Sequence, residues 1–250
     1  MKITRKFRLF ISASVQNLID FVFPNVCPCC NKSIENYKIF CTACFSKIKF
    51  IQGTICYRCG KKLNTNLTEE KTLCANCLKK RPIYDKARSV FEYNLPSKNM
   101  ILKFKYTGKI EYVYPFVKLM QQAGKDLFKE TDVIMPVPMH WKRRLTRGYN
   151  QAGLLAQELA KQIKCPYDDT TLTRFKHTKK QENKSLEERN KNVKDAFKIT
   201  DTNKVKNKTI LLIDDVLTTG ATVNNCTKTL KKAGAKAVFV LTIAHTTKND

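Results

Sequence analysis

The chain has 250 residues, of which 42% are hydrophobic and only 8 each are glycine and proline, a composition that excludes a disordered or low-complexity protein. This length accommodates one α/β domain of about 150 residues and a smaller module. With 47 basic and 21 acidic residues the net charge is +26, which favours polyanionic partners, either nucleic acid or an anionic membrane face. A general excess of solvated surface lysines is the alternative explanation of this charge.

Residues 1–23 predict an amphipathic helix that Pro24 ends. Basic residues stand near its start, and an apolar face is formed by Phe7, Phe10, Ile11, Val15, Leu18 and Val22. The apolar run is too short for a signal peptide, and no other segment reaches transmembrane length. We therefore predict a cytoplasmic protein whose first helix packs on the chain or on a partner, or makes peripheral contact with a membrane surface.

Residues 24–82 carry four C-x-x-C pairs, a spacing typical of metal knuckles rather than of a disulfide framework. Each pair presents two thiolates from one tight turn, and two pairs complete a tetrahedral zinc site. The eight predicted ligands are Cys27, Cys30, Cys41, Cys44, Cys56, Cys59, Cys74 and Cys77. Because cysteine fills every position, we predict two closed, structural zinc sites.

Two pairings of the knuckles fit this spacing. Sequential pairing gives two zinc ribbons, with ten residues between the knuckles of the first and fourteen between those of the second. Cross-bracing instead joins the first pair with the third and the second with the fourth. In either case the C-x-x-C spacing of the first knuckle leaves Cys29 as a spare thiol.

From residue 83 the sequence alternates between strand and helix patterns, which predicts an α/β domain over 83–250. The predicted strands are 87–93, 131–138, 170–174, 210–213 and 237–244. The predicted helices are 97–106, 112–124, 152–163 and 222–233. The long, polar and cationic stretch 175–189 is typical of a lid or a disordered loop.

The strand, loop and helix over residues 209–234 carry the strongest functional signal. The apolar run 210–213 ends at Asp214 and Asp215, where open α/β sheets bind ligands. The loop that follows is Thr218, Thr219, Gly220, Ala221 and Thr222. Its hydroxyls, its glycine and the first N–H groups of the helix suit a phosphate. The two carboxylates suit ribose hydroxyls, or a Mg²⁺ ion bridged to them, so we predict a sugar phosphate site.

A second cationic loop follows the predicted strand 131–138 and leads into helix 152–163. Its ionisable and aromatic side chains include His140, Trp141, Arg143, Arg147 and Tyr149. At the end of a strand such a loop could hold a second phosphate cluster, as pyrophosphate requires. Aromatic groups among basic ones also suit stacking on single-stranded DNA, although they could equally anchor the loop by packing.

The stretch from Thr209 to Thr222 resembles the signature of the type I phosphoribosyltransferases, which bind phosphoribosyl pyrophosphate. By that resemblance Asp214 and Asp215 contact the ribose, and residues 218–222 take the 5′-phosphate. The loop around His140, Arg143 and Arg147 would contact pyrophosphate. The implied fold is a parallel sheet flanked by helices, preceded here by the small cysteine-rich double zinc ribbon.

Nearly the whole chain resembles the ComF family, which is associated with DNA uptake in natural transformation. The motifs that carry this resemblance are the knuckles after Phe23-Pro24, Lys105-Tyr-x-Gly108, Val137-Pro-x-His140, Arg147-Gly-Tyr-Asn-Gln151 and Arg189-x-x-Asn-Val193-x-x-Ala-Phe197. A departure is Lys184, which stands where the family usually has an apolar residue.

These observations predict a zinc-containing protein that binds phosphoribosyl pyrophosphate, or a similar ribose phosphate, with Mg²⁺ and assists single-stranded DNA handling. One alternative is a working phosphoribosyltransferase on an unidentified small-molecule acceptor. Another is a ligand-sensing adaptor without catalysis, whose ribbons bind a helicase or another DNA-uptake protein. The sequence identifies no catalytic residue; His140 and His177 are proton carriers, phosphate contacts or solvated side chains.

Overall fold

The computed structural model describes residues 26–34, 39–64, 71–106, 110–140, 148–175 and 196–246. The predicted N-terminal helix 1–23, the loop residues 141–147 and most of the polar stretch 175–189 fall outside the described residues. The chain divides into two compact units, Met1–Lys47 and Ile48–Asp250. Within the described ranges, no helix is long and apolar enough to cross a lipid bilayer.

The first unit contains two cysteine knuckles and a short helix. Val26 and Ser33 form an isolated antiparallel bridge, and Cys27 N donates to Lys32 O at 2.8 Å, which closes the knuckle between them. The helix α1, Thr42–Phe45, begins directly after Cys41. The second cysteine pair of this unit therefore lies at the start of a helical turn.

The second unit is built on a four-stranded sheet in which every neighbouring pair is parallel. Its strands in spatial order are β1 (Lys86–Glu92), β6 (Ala237–His245), β5 (Thr209–Leu217) and β2 (Val133–Pro136). Both central strands consist mainly of aliphatic residues, and residues 210–213 are fully buried. Such continuous apolar runs belong to strands that are covered on both faces.

Helices and a small hairpin complete this unit. The helices are α2 (Ala75–Lys79), α3 (Leu95–Tyr106), α4 (Val113–Ala123), α5 (Lys125–Phe128), α6 (Gln151–Ile163) and α7 (Ala221–Lys232), with a 3₁₀ turn at Ile110–Tyr112. Strands β3 (Leu172–Arg174) and β4 (Phe197–Ile199) pair antiparallel, and the segment 176–195 that joins them is not described. The predicted parallel α/β sheet with flanking helices is thus confirmed.

Strand β5 is longer than the apolar run in the sequence. It continues beyond Ile213 as far as Leu217, because its last residues remain paired with β6. The register joins Asp214 to Thr242, Val216 to Ala244 and Leu217 to His245. The two carboxylates therefore belong to the last part of an ordered strand, and the loop begins only at Thr218.

The cysteines of the third and fourth knuckles, which form the second group, are part of the core of the α/β unit. Its four side chains are at most 8% exposed and share one apolar cluster with Leu212, Leu217, Val223, Cys226 and Val240. Gly60, at φ +70°, crosses β1 so closely that a Cβ atom would lie 2.4 Å from Ala87 O. The unit boundary at Lys47 lies within the predicted module 24–82, so the two knuckle pairs fall in different units.

Candidate functional site

The structure gathers the eight predicted metal ligands into two groups of four. The first is Cys27, Cys30, Cys41 and Cys44, and the second is Cys56, Cys59, Cys74 and Cys77. Within each group the sulfur atoms lie within 4.8 Å of one another, so the pairing of knuckles is sequential rather than cross-braced. Cys29 belongs to neither group, as the spacing of the first knuckle predicts.

Both groups fit a zinc ion. Four thiolates at these separations supply a complete tetrahedral donor set and leave no position for a water molecule or a substrate. In the second group Cys56 Sγ also accepts a hydrogen bond from Cys74 N at 3.3 Å, an interaction that favours thiolate over thiol. All four of its ligands are buried, whereas Cys30 of the first group is exposed. These are structural zinc sites.

The acidic pair and the loop after β5 meet at the start of α7. Gly220 precedes the helix with φ +72°, a left-handed conformation that a side chain would strain. A Cβ atom there would also lie 3.2 Å from Asn224 Nδ2. Thr219 Oγ1 accepts from Ala221 N at 3.3 Å, and Thr218 is exposed. The turn thus presents hydroxyl groups and helix N–H groups beside the end of β5.

The two carboxylates have different surroundings. Desolvation, followed by the negative charge of Asp215, raises the pKa of Asp214 to about 7, although Lys105 and Arg174 act in the opposite direction. Asp214 Oδ1 accepts from Asp215 N at 2.8 Å. Asp215 Oδ2 instead lies 2.9 Å from Lys105 Nζ. Asp215 therefore has a cationic partner, whereas Asp214 has a pKa near neutral pH.

Lys105 was not predicted as a site residue; the sequence indicates it only as part of Lys105-Tyr-x-Gly108. It stands in the last turn of α3, and burial alone would lower its pKa. The Asp215 carboxylate outweighs that effect and raises the pKa, so the ammonium stays charged. A lysine at the end of a helix is ordinarily a surface residue, which explains why no further sequence signal pointed to Lys105.

The loop after β2 reaches the same edge of the sheet. Val137 N donates to Ile213 O at 2.8 Å, so this loop leaves beside the acidic pair. His140 lies in it and is 3% exposed. Its predicted partners Arg143 and Arg147 are outside the described residues. The structure thus places the start of the loop that contains His140 beside the carboxyl end of β5.

A pocket of about 360 Å³ opens between the loop after β2, the start of α6 and strand β3. Its polar lining includes Asn150, Gln157, Asp169 and Arg174. The positive charge of Arg174, one of these lining residues, also opposes the rise in the pKa of Asp214. The sequence had indicated no pocket in this position.

Comparison with known proteins agrees with both parts of the chain. A double zinc ribbon domain model matches residues 18–78, and a phosphoribosyl transferase domain model matches residues 144–249. The first match contains both cysteine groups, and the second contains the acidic pair and the loop after it. Competence protein F of Haemophilus influenzae is 32% identical over 210 residues, which cover 82% of this chain and 89% of that protein.

The chain belongs to the ComF family. The DNA utilization protein YhgH of Escherichia coli K12 is 28% identical over 229 residues, which cover 89% of this chain and 98% of the relative. Competence protein ComFC of Bacillus subtilis is 28% identical over 204 residues, covering 79% and 80% of the two chains. The family resemblance of the sequence is thereby confirmed.

Two ComF motifs that are distant in the sequence touch in the structure. Tyr149 Oη, from Arg147-Gly-Tyr-Asn-Gln151, donates to Phe104 O at 2.7 Å. Gln151 Nε2 donates to Lys105 O at 3.2 Å. These bonds satisfy carbonyl groups at the C-terminal end of α3, which a helix leaves unpaired. The start of α6 therefore fixes the backbone that carries Lys105.

Proposed function

We propose that this chain binds phosphoribosyl pyrophosphate with Mg²⁺ at the carboxyl end of β5 and assists single-stranded DNA handling during DNA uptake. One observation carries the first part: the order of groups along the chain from Asp214 to Thr222. Two carboxylates come first, then a hydroxyl-rich turn, then the N–H groups of α7. The ligand offers the matching order, with ribose hydroxyls followed by a 5′-phosphate.

The phosphate end of this proposal rests on α7. The helix has 12 residues, and its first N–H groups and positive dipole end point towards the turn at Gly220. The left-handed glycine brings the backbone close, without a side chain between it and a ligand. Thr218 and Thr222 would add hydroxyl donors to the phosphate oxygens.

The carboxylates support the ribose and the cation. Asp214 and Asp215 would accept hydrogen bonds from the ribose hydroxyls or hold the Mg²⁺ that those hydroxyls share, because hard oxygen donors suit this ion. When bound, Mg²⁺ would offset the negative charge of the pyrophosphate. The buried His140, with Arg143 and Arg147, remains the predicted pyrophosphate contact.

The DNA part of the proposal rests on charge and relatives. The chain carries a net charge of +26, a balance that attracts a polyanionic strand. Its relatives are named competence proteins and a DNA utilization protein. A place in the cytoplasm, where an internalised strand arrives, belongs to the same proposal.

Calorimetric titration tests the ligand. Phosphoribosyl pyrophosphate and Mg²⁺ are added to the zinc-loaded protein, with and without a bound single-stranded oligonucleotide. We expect binding that is lost in the Asp214→Asn, Asp215→Asn double variant and is kept in an Asp201→Asn variant, which alters a half-buried loop carboxylate outside the acidic pair. A change of affinity with the oligonucleotide would couple the two ligands, and no heat in the wild type would contradict the proposal.

Phosphoribosyl transfer is a second candidate, favoured by the pocket of about 360 Å³ that Arg174 lines, because the charge of Arg174 also acts on Asp214. A nucleophilic nitrogen of an acceptor would attack the ribose C1 while the bond from C1 to pyrophosphate breaks. The cationic groups would stabilise the charge on the leaving pyrophosphate. Pyrophosphate release in the presence of a nucleobase series tests it, and release without any dependence on the acceptor would count against it.

A further inference from the structure

We propose that Lys105 is a ligand-binding residue, an internal cation that stays against Asp215 and donates a hydrogen bond to the bound ribose phosphate. Its positive charge thereby neutralises part of the ligand charge that a divalent ion would otherwise neutralise. This inference rests on the proposed ribose phosphate site. The sequence indicates Lys105 only as part of a motif, whereas the structure places its ammonium group against Asp215.

Position is the first argument. Lys105 Nζ lies 2.9 Å from Asp215 Oδ2, and the two side chains are 22% and 14% exposed. The pair is therefore neither a surface ion pair nor sealed in the core. An ammonium group has three N–H donors, and within the described part of the chain Asp215 is the only carboxylate that forms an ion pair with it. Donors remain for a ligand at the end of β5.

Rigidity is the second argument. Phe104 is fully buried, with its ring centroid 5.5 Å from that of Phe116 and 6.4 Å from that of Tyr149. The carbonyl groups of Phe104 and Lys105 accept hydrogen bonds from Tyr149, just before α6, and from Gln151, its first residue. The backbone that carries the ammonium is thus anchored from two sides before any ligand arrives. Such preorganisation is expected of a binding group.

Competition for one carboxylate is the third argument. A divalent ion and the Lys105 ammonium both need oxygen atoms of Asp215, so each weakens the binding of the other. A purely structural ion pair would also contribute little net stability, because desolvation offsets its attraction. Lys105 is therefore better placed to receive a polyanion than to stabilise the fold.

The test measures how far binding depends on Mg²⁺. Ribose 5-phosphate and phosphoribosyl pyrophosphate are titrated into the wild type, Lys105→Met, Lys105→Arg and the control Lys98→Met, which alters an exposed lysine of the same helix. Each titration is run in Mg²⁺-free buffer and at saturating Mg²⁺. A chelator is avoided because it would also extract zinc.

In Mg²⁺-free buffer we expect Lys105→Met to lose about 10- to 100-fold in affinity, the cost of one charged hydrogen bond. Saturating Mg²⁺ should recover most of this loss, Lys105→Arg should retain part of the metal-free affinity, and Lys98→Met should match the wild type. Thermal melts establish that each variant is folded; if Lys105→Met does not fold, Lys105→Arg carries the comparison.

Equal metal-free affinity in the wild type and in folded Lys105 variants would overturn this inference. So would a loss that Mg²⁺ does not change. In both cases the proposed function stands if the Asp214→Asn, Asp215→Asn variant still abolishes binding. Absence of binding by the wild type, with or without Mg²⁺, would instead overturn the proposed function and this inference together.

Discussion

Ile83 N donates a hydrogen bond to Asn224 Oδ1 at 2.9 Å, which joins the chain just after the second cysteine group to the first turns of α7. The next residue, Tyr84, is 4% exposed, and its pKa is raised by burial and then by the nearby Cys59. Its ring also approaches Gly220. Ile83 and Tyr84 thus link the second zinc ribbon to the proposed phosphate turn.

Loss of zinc should therefore have unequal effects at the two sites. Cys74→Ser removes a buried ligand from the α/β core, and we expect its melting temperature to fall by about 10 °C or more, with loss of phosphoribosyl pyrophosphate binding. Cys41→Ser, the matched ligand of the first group, should leave that binding within about twofold. Metal analysis, thermal melts and calorimetry check this, and equal losses of binding would show that the two sites are not distinct in this way.

Gly220→Ala should weaken both the fold and the site. The left-handed φ of +72° makes a side chain cost about 1–2 kcal/mol, and the new methyl would press on Asn224 Nδ2. The matched control is Gly153→Ala in α6, where the nearest atom would be 3.4 Å away and helix propensity favours alanine by about 0.5–1 kcal/mol. Denaturant titration and calorimetry compare them. An unchanged affinity in Gly220→Ala would mean that the turn does not approach the phosphate.

The raised pKa of Asp214, about 7, predicts a stability change with pH. In the unfolded chain the pKa of an aspartate carboxyl is about 3.9, so the folded state binds the proton of Asp214 more tightly. The resulting stability is complete below the unfolded pKa and is lost as pH rises through about 7. Asp214→Asn should therefore match the wild type near pH 4 and be more stable near pH 8, by about 1–2 kcal/mol for this partly exposed group.

Urea unfolding at several pH values in Mg²⁺-free buffer measures this difference. Asp201→Asn serves as the control, because it removes a half-buried carboxylate that does not belong to the acidic pair. If the stability difference between Asp214→Asn and the wild type is the same at acid and alkaline pH, Asp214 does not titrate near neutrality.

Binding of single-stranded DNA should weaken steeply with salt. If the basic surface contacts about six phosphates, the logarithm of the association constant should fall with a slope of about −4 against the logarithm of salt concentration. Fluorescence anisotropy with an oligothymidine checks this, and neutral peptide nucleic acid of the same length is the control. An association constant that does not change with salt would mean that the excess lysines are solvated surface residues and not a DNA-binding surface.

Features that depend only on neighbouring residues were predicted well from the sequence. The knuckles are set by C-x-x-C spacing, and the turn from Thr218 to Gly220 is set by its own glycine and hydroxyls. Both were located correctly because their geometry needs few contacts from elsewhere in the chain. The same holds for the main strands, whose apolar runs mark their burial.

Contacts between distant segments were not predictable in this way. Lys105 meets Asp215, and the second cysteine group packs under Leu217, only because the sheet brings their elements together. The motif Lys105-Tyr-x-Gly108 sets Lys105 apart from the other lysines of α3, but it does not indicate that Asp215 is the partner. The knuckle spacing likewise gives no sign that one ribbon lies in the core and the other in a separate unit.

The position of β6 between β1 and β5 has a consequence for biosynthesis. The strand follows all the others along the described chain, yet it occupies the middle of the sheet and joins β1 to the rest. A nascent chain that stops before Ala237 leaves β1 without its sheet neighbour and β5 paired on one side only. Prematurely terminated products should therefore expose both strands to cellular proteases, so that only chains translated past His245 persist.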